Sequence, residues 1–87
     1  MKQAKQPTVL IVDDEPTIVD TFSMILGHEG YLVRRASSSA TALRMQDEYP
    51  CDIAFVDIQL GATTGVDLLK LLRLHNPLLQ VVLITGW

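Results

Sequence analysis

Cysteine and tryptophan occur once each in this 87-residue chain, and tyrosine and phenylalanine twice each. A lone Cys51 rules out an internal disulfide framework and fits a reducing compartment. Basic residues are also short: seven Lys and Arg stand against ten Asp and Glu, for a formal charge of −3. A chain without a basic stripe is a poor candidate for direct nucleic-acid binding, where neutralising phosphates supplies much of the affinity. Long hydrophobic runs are missing too. Val9–Val12 is closed by Asp13, well short of the roughly 7–15 apolar residues of a secretory core or the about 20 of a membrane span. His28 and His75 stand apart near expected helix C-termini with no second metal-type ligand beside them, which reads as surface placement. What remains is 48% apolar and 20% charged residues, the balance of one small globular domain, expected to be soluble and cytoplasmic with no membrane contact.

The apolar residues are arranged in alternating patterns. Residues 1–7 are polar and read as a loose lead-in, with the folded segment expected over 8–87. Thr8–Val12 is a continuous β-branched run without period-2 alternation, the pattern of a strand covered on both faces. Pro16 opens a helix in which Ile18, Val19, Phe22, Ile25 and Leu26 share a face, and Gly30 is the better candidate for its C′ position. Tyr31–Ala36 reads as a more polar strand nearer an edge. Ser37–Ser39 supply capping oxygens for a helix from Ala40 to about Glu48, stopped by Pro50. Ile53–Val56 is a second doubly covered strand, and 61–65 reads as a loop. Val66–Leu74 is a leucine-rich helix whose leucines read as core and subunit-facing packing, and Val81–Thr85 a fourth strand. The order β-α-β-α-β-α-β predicts an α/β fold: a doubly wound parallel sheet with helices on both faces.

Polar residues interrupt this pattern at one kind of place. Asp13 and Asp14 follow the first strand, Asp57 follows the third and Thr85 ends the fourth. In a parallel sheet these are all carboxyl ends, and that rim is where open α/β sheets bind ligands. Carboxylates gathered there repel one another unless a cation joins them. Oxygen ligands with no His or Cys among them suit a hard divalent ion, with Mg²⁺ leading because it accepts one or two carboxylates, waters and phosphate oxygens. Such a site fits phosphoryl chemistry, in which a cation neutralises the transferring oxygens and a Thr hydroxyl can hydrogen-bond one of them.

At this point the chain resembles the receiver domains of two-component response regulators. The resemblance runs over residues 8–87. It rests on the acidic pair in VDDEP, the strand-end acid in DIAFVDIQL, Gly65 eight residues later, the strand end LIT, and Ala36 with Ala42-Leu43. It implies a flavodoxin-like sheet of strand order 2-1-3-4 and a Mg²⁺-dependent transfer of a phosphoryl group onto Asp57 from a phosphohistidine of a sensor histidine kinase. Asp57, Asp13, Asp14 and the backbone carbonyl of Gln59 would form the metal site, and Thr85 would contact the phosphoryl group and report on it by reorienting. The positions of Gln59 and Trp87 would tune how long the acyl phosphate survives. Departures from the family pattern are also visible. Gly61 stands where a proline is usual, and the family's last strand, with its lysine, and last two helices have no counterpart. That incompleteness predicts an exposed edge at 81–85 that could pair with a second copy, and a longer protein carrying an output domain.

Two rival readings accompany this one. Asp13-x-Glu15-x-Thr17 and Leu83-Ile84-Thr85 resemble motifs of haloacid-dehalogenase-type phosphatases, which would make Asp13 the nucleophile. Alternatively the chain is an interaction module that never takes a phosphate. Residue by residue there are bland readings as well: Asp13-Asp14-Glu15 as a helix-capping turn, Asp57 as a solvated strand end, Cys51 as a packed thiol.

Overall fold

The computed structural model describes residues 6–60 and 63–84. The elements run β1 (Thr8–Val12), α1 (Pro16–His28), β2 (Leu32–Ala36), α2 (Ser39–Glu48), β3 (Ile53–Asp57), β4 (Gln59–Leu60), β5 (Thr63–Thr64), α3 (Gly65–His75) and β6 (Gln80–Ile84). Four strands form one parallel sheet in the order β2-β1-β3-β6. This is the expected 2-1-3-4 order, with β6 as the fourth long strand, in a flavodoxin-like arrangement.

The doubly covered reading of β1 is realised residue by residue. Val9, Ile11 and the α1 residue Val19 are buried together, with Phe22, Leu26, Val33 and Phe55 against them. Leu10 and Val12 point the other way, into a larger core with Ala42 of α2, Ala54 and Val56 of β3, and Leu68 and Leu72 of α3. One helix therefore covers one face and two cover the other. On the α1 face the rings of Phe22 and Phe55 stack with centroids 6.0 Å apart.

The helix ends follow the local chemistry. Pro16 sits in the first turn of α1, where its missing N–H removes no helical bond. Gly30, at φ +93°, takes the left-handed conformation that a side chain resists and turns the chain toward β2. The side chains of Ser38 and Thr64 accept from the backbone N–H groups of Thr41 and Asp67, capping α2 and α3.

Several expectations are corrected. Within the segment read as a loop over 61–65, Thr63 and Thr64 form β5, paired antiparallel with Leu60 and Gln59, and helix α3 begins at Gly65. The fourth long strand begins one residue earlier than expected, at Gln80, and is described as far as Ile84. Tyr31 falls outside β2, and Ser39 belongs to α2. Ile25, assigned by periodicity to the buried face of α1, is 55% exposed. Gly61, Thr85 and Trp87 lie outside the described residues.

Candidate functional site

The pairing register brings the acids together. β1 and β3 are neighbours, with Val12 level with Val56, so Asp13, just past β1, and Asp57, which ends β3 inside the strand and not after it, lie side by side at one rim. Asp13, Asp14 and Asp57 each place a carboxylate oxygen within 4.8 Å of the other two. The strand order turns at this point: β2 lies beyond β1, β6 beyond β3, and the acids occupy the crevice between. A helix-capping turn does not describe Asp13-Asp14-Glu15, because Glu15 is the N-cap of α1 and no side chain caps that end.

Two of the acids are held in the same way. Asp13 Oδ1 accepts the N–H of Glu15 at 2.9 Å, and Asp57 Oδ1 accepts the N–H of Gln59 at 3.1 Å. Each carboxylate is thus oriented by the peptide two residues on. Gln59 stands beside Asp57, as the sequence suggested, and the contact the structure shows is through its N–H.

The electrostatics are uneven. Asp13 is almost fully buried while Asp14 is exposed. Burial pushes the Asp13 carboxyl above its ordinary range, the bond from Glu15 pulls it back, and the charges of Asp57, Asp14 and Glu15 raise it further. Among the described residues no cation forms an ion pair with any of the three, since the one ion pair joins Arg35 to Asp20. An oxygen-only set of three converging carboxylates, one of them desolvated, fits a hard divalent cation.

The structure adds two features to the site: what Gly65, a motif position in the sequence, does there, and a residue the sequence reading missed. Gly65 donates its N–H to Ile58 O at 2.6 Å and packs against the backbone of Asp57. Arg35, at the carboxyl end of β2, lines a cavity of about 250 Å³ together with Asp13, Asp14, Pro16, Val19, Ala36 and Ser37. Its position at the same rim as the acids was the available signal. The other singled-out residues behave as packing or surface. Cys51 is buried, its thiol raised by that burial even though Arg34 acts in the opposite sense. His28 and His75 are exposed.

Comparison with known proteins agrees with this geometry. Residues 9–87 match the response regulator receiver domain family. The alginate biosynthesis transcriptional regulatory protein AlgB of Pseudomonas putida is 39% identical over 84 residues, which cover 97% of this chain and 19% of AlgB. The probable transcriptional regulatory protein TcrX of Mycobacterium tuberculosis is 37% identical over 79 residues, 91% of this chain and 34% of TcrX. The chain thus spans a fifth to a third of the length of these relatives. A CheY-like receiver domain protein from Methanospirillum hungatei superposes with a TM-score of 0.91 at 30% identity, over 95% of this chain and 66% of that one. A Burkholderia pseudomallei response regulator, solved with a phosphorylated aspartic acid, a calcium ion and citrate, gives 0.88 at 27% identity, over 94% and 48%. TrrA of Thermotoga maritima, in complex with Mg²⁺ and BeF, gives 0.88 at 26%, over 94% and 71%. No helix among the described residues is long and apolar enough to cross a membrane. With its four-stranded sheet, its rim of acids and these matches, the chain belongs to the response regulator receiver domain family.

Proposed function

We propose that Asp57 is the phosphoacceptor of this receiver domain and that it takes its phosphoryl group from a phosphohistidine of a sensor kinase in a Mg²⁺-dependent step. The observation that carries the reading is the convergence of the Asp13, Asp14 and Asp57 carboxylates within 4.8 Å at the turning point of the sheet. The free oxygen of Asp57 attacks phosphorus, the P–N bond breaks, and its electron pair leaves with the imidazole. Asp57 is suited to this because Gln59 fixes its other oxygen, so the attacking atom has a defined direction. Asp13 and Asp14, with the carbonyl of Gln59, would hold the ion. A divalent cation bound there supplies neutralising charge to the transferring oxygens. Thr85 is assigned the hydroxyl that contacts the phosphoryl group and reorients with it. The domain acts stoichiometrically, as a switch and not as a turnover enzyme.

The receiver segment is placed at residues 8–87, with 1–7 as lead-in, in a cytoplasmic protein whose output domain is a transcriptional regulator like those of its relatives. β6 is the sheet edge among the described residues and leaves Val82 44% exposed, and pairing of the 81–85 strand with a second copy is the self-association that light scattering would read. The phosphatase reading finds no support: its nucleophile, Asp13, is almost fully buried, and it leaves Asp57 without a role.

The test is incubation with acetyl phosphate and MgCl₂, read by intact mass. The expected result is addition of one phosphoryl group, labile to hydroxylamine, lost in Asp57→Asn and in magnesium-free buffer. Turnover of a phosphomonoester that survives in Asp57→Asn and is lost in Asp13→Asn would instead establish the phosphatase. Partner binding indifferent to Asp57→Ala, Mg²⁺ and acetyl phosphate would establish the interaction module.

A further inference from the structure

The described residues contain one guanidinium that shares a cavity with the acids. Arg35 is the penultimate residue of β2, level with Ile11 of β1, and lines the same space as Asp13 and Asp14. Its Nη2 is paired with Oδ1 of Asp20, in the second turn of α1. Both side chains are largely exposed, 52% for Arg35 and 65% for Asp20, so the pair contributes little to holding the fold together. Its consequence lies elsewhere. A guanidinium recognises carboxylates through paired N–H donors, and Asp14, exposed and without an ion-pair partner among the described residues, offers it the same chemistry as Asp20 does. An Arg35 released from Asp20 stands next to the acids that a divalent cation needs.

We infer that Asp20 is a positioning residue for the cation site: by engaging Arg35 it keeps the guanidinium off Asp13 and Asp14 and leaves those carboxylates to the metal. The inference rests on the reading of the site as a divalent-cation centre. It assigns Asp20 no contact with the ion, and its effect runs wholly through Arg35.

The experiment is a Mg²⁺ titration of the whole chain at low ionic strength, followed by backbone amide NMR, with thermal melts of each variant. Asp20→Asn should weaken Mg²⁺ binding roughly three- to tenfold with an unchanged melt. The double variant D20N/R35Q should return to within about twofold of the original chain. Removing a positive charge that does not line this cavity, as in D20N/K70Q on α3, restores the same net charge and should leave binding weak. High salt should shrink the difference. The inference is overturned if D20N binds as the original chain does, if D20N/R35Q stays as weak as D20N, or if D20N/K70Q recovers equally. Absence of saturable Mg²⁺ binding sensitive to Asp13→Asn would remove the cation-site reading itself, and this inference with it.

Discussion

A β-carbon on Gly65 would lie 2.2 Å from the carbonyl oxygen of Asp57 and 2.9 Å from its carbonyl carbon. The contact is backbone against backbone, so no side-chain rotation can relieve it. Gly65→Ala must therefore move either the start of α3 or the end of β3, and the end of β3 carries Asp57. The expected cost is about 1–3 kcal/mol in urea melts, together with slower phosphorylation because the acceptor shifts. Gly27 is the internal control. Nothing lies within 4 Å of its added carbon and it sits inside α1, so Gly27→Ala should stabilise by roughly 0.5–1 kcal/mol and leave phosphorylation unchanged.

Asp13 sets the pH dependence. Burial, with help from Asp57, Asp14 and Glu15, holds its carboxyl above the ordinary 3.8 in the folded chain. A carboxyl with a raised folded pKa binds its proton more tightly when folded. Its contribution to stability is therefore complete below 3.8 and is lost as pH rises through the raised value. Without divalent cations, Asp13→Asn should melt above the original chain at pH 7. The gap should close as pH falls toward the ordinary carboxyl range. Mg²⁺ at about 100 times its Kd should add about 2.7 kcal/mol to the original chain and little to the variant. A variant less stable than the original at pH 7 in chelator would show that the Asp13 charge is already satisfied without a cation.

Much of this architecture was readable because each level repeated the same message. The unbroken apolar run of β1 required cover on both faces, and Val9 and Ile11 against Leu10 and Val12 supply it. Strand ends in a parallel sheet share a rim, so Asp13, Asp14 and Asp57 could be grouped before any distance was known. Periodicity could not assign Ile25, because a stripe of apolar residues wider than the sheet beneath it leaves one edge in water. Nor could it reveal β4 and β5, whose two-residue strands are too short to carry a pattern. Gly65 is marked by its spacing eight residues after Asp57, but the close backbone approach that requires a glycine there and the Arg35–Asp20 pair depend on how the segments pack, which no local pattern encodes.

The leucines of α3 divide more sharply than their spacing alone suggests. Leu68 and Leu72, four apart, are buried at 1% and 0% exposure, whereas Leu74 is 77% exposed. Leu72→Ala should cost about 2–5 kcal/mol through lost burial and the cavity left behind. Leu74→Ala should stay within about 0.5 kcal/mol. Urea midpoints for the two variants, compared at equal slope, measure the difference. Equal losses would mean that Leu74 is covered in solution.

Gln46 is the buried polar side chain that the sequence reading passed over. Its amide oxygen accepts the N–H of Cys51 at 3.0 Å and its amide nitrogen lies 3.5 Å from the Cys51 carbonyl oxygen, tying the end of α2 to the approach of β3. Gln46→Ala strips the buried Cys51 backbone of these partners and opens a void beside it. The expected loss is about 2–4 kcal/mol, more than either effect alone. Gln46→Glu keeps the acceptor but presents a carboxylate to the Cys51 carbonyl oxygen, so it should recover stability only at acid pH, where the protonated acid can donate. The Cys51 thiol provides a second readout. Burial and a raised pKa should make it unreactive to a disulfide reagent in the native chain at neutral pH. Loosening its neighbourhood in Gln46→Ala should accelerate labelling in proportion to the lost stability. Rapid labelling of the original chain would show that α2 and β3 separate on their own, without unfolding the sheet that carries Asp57.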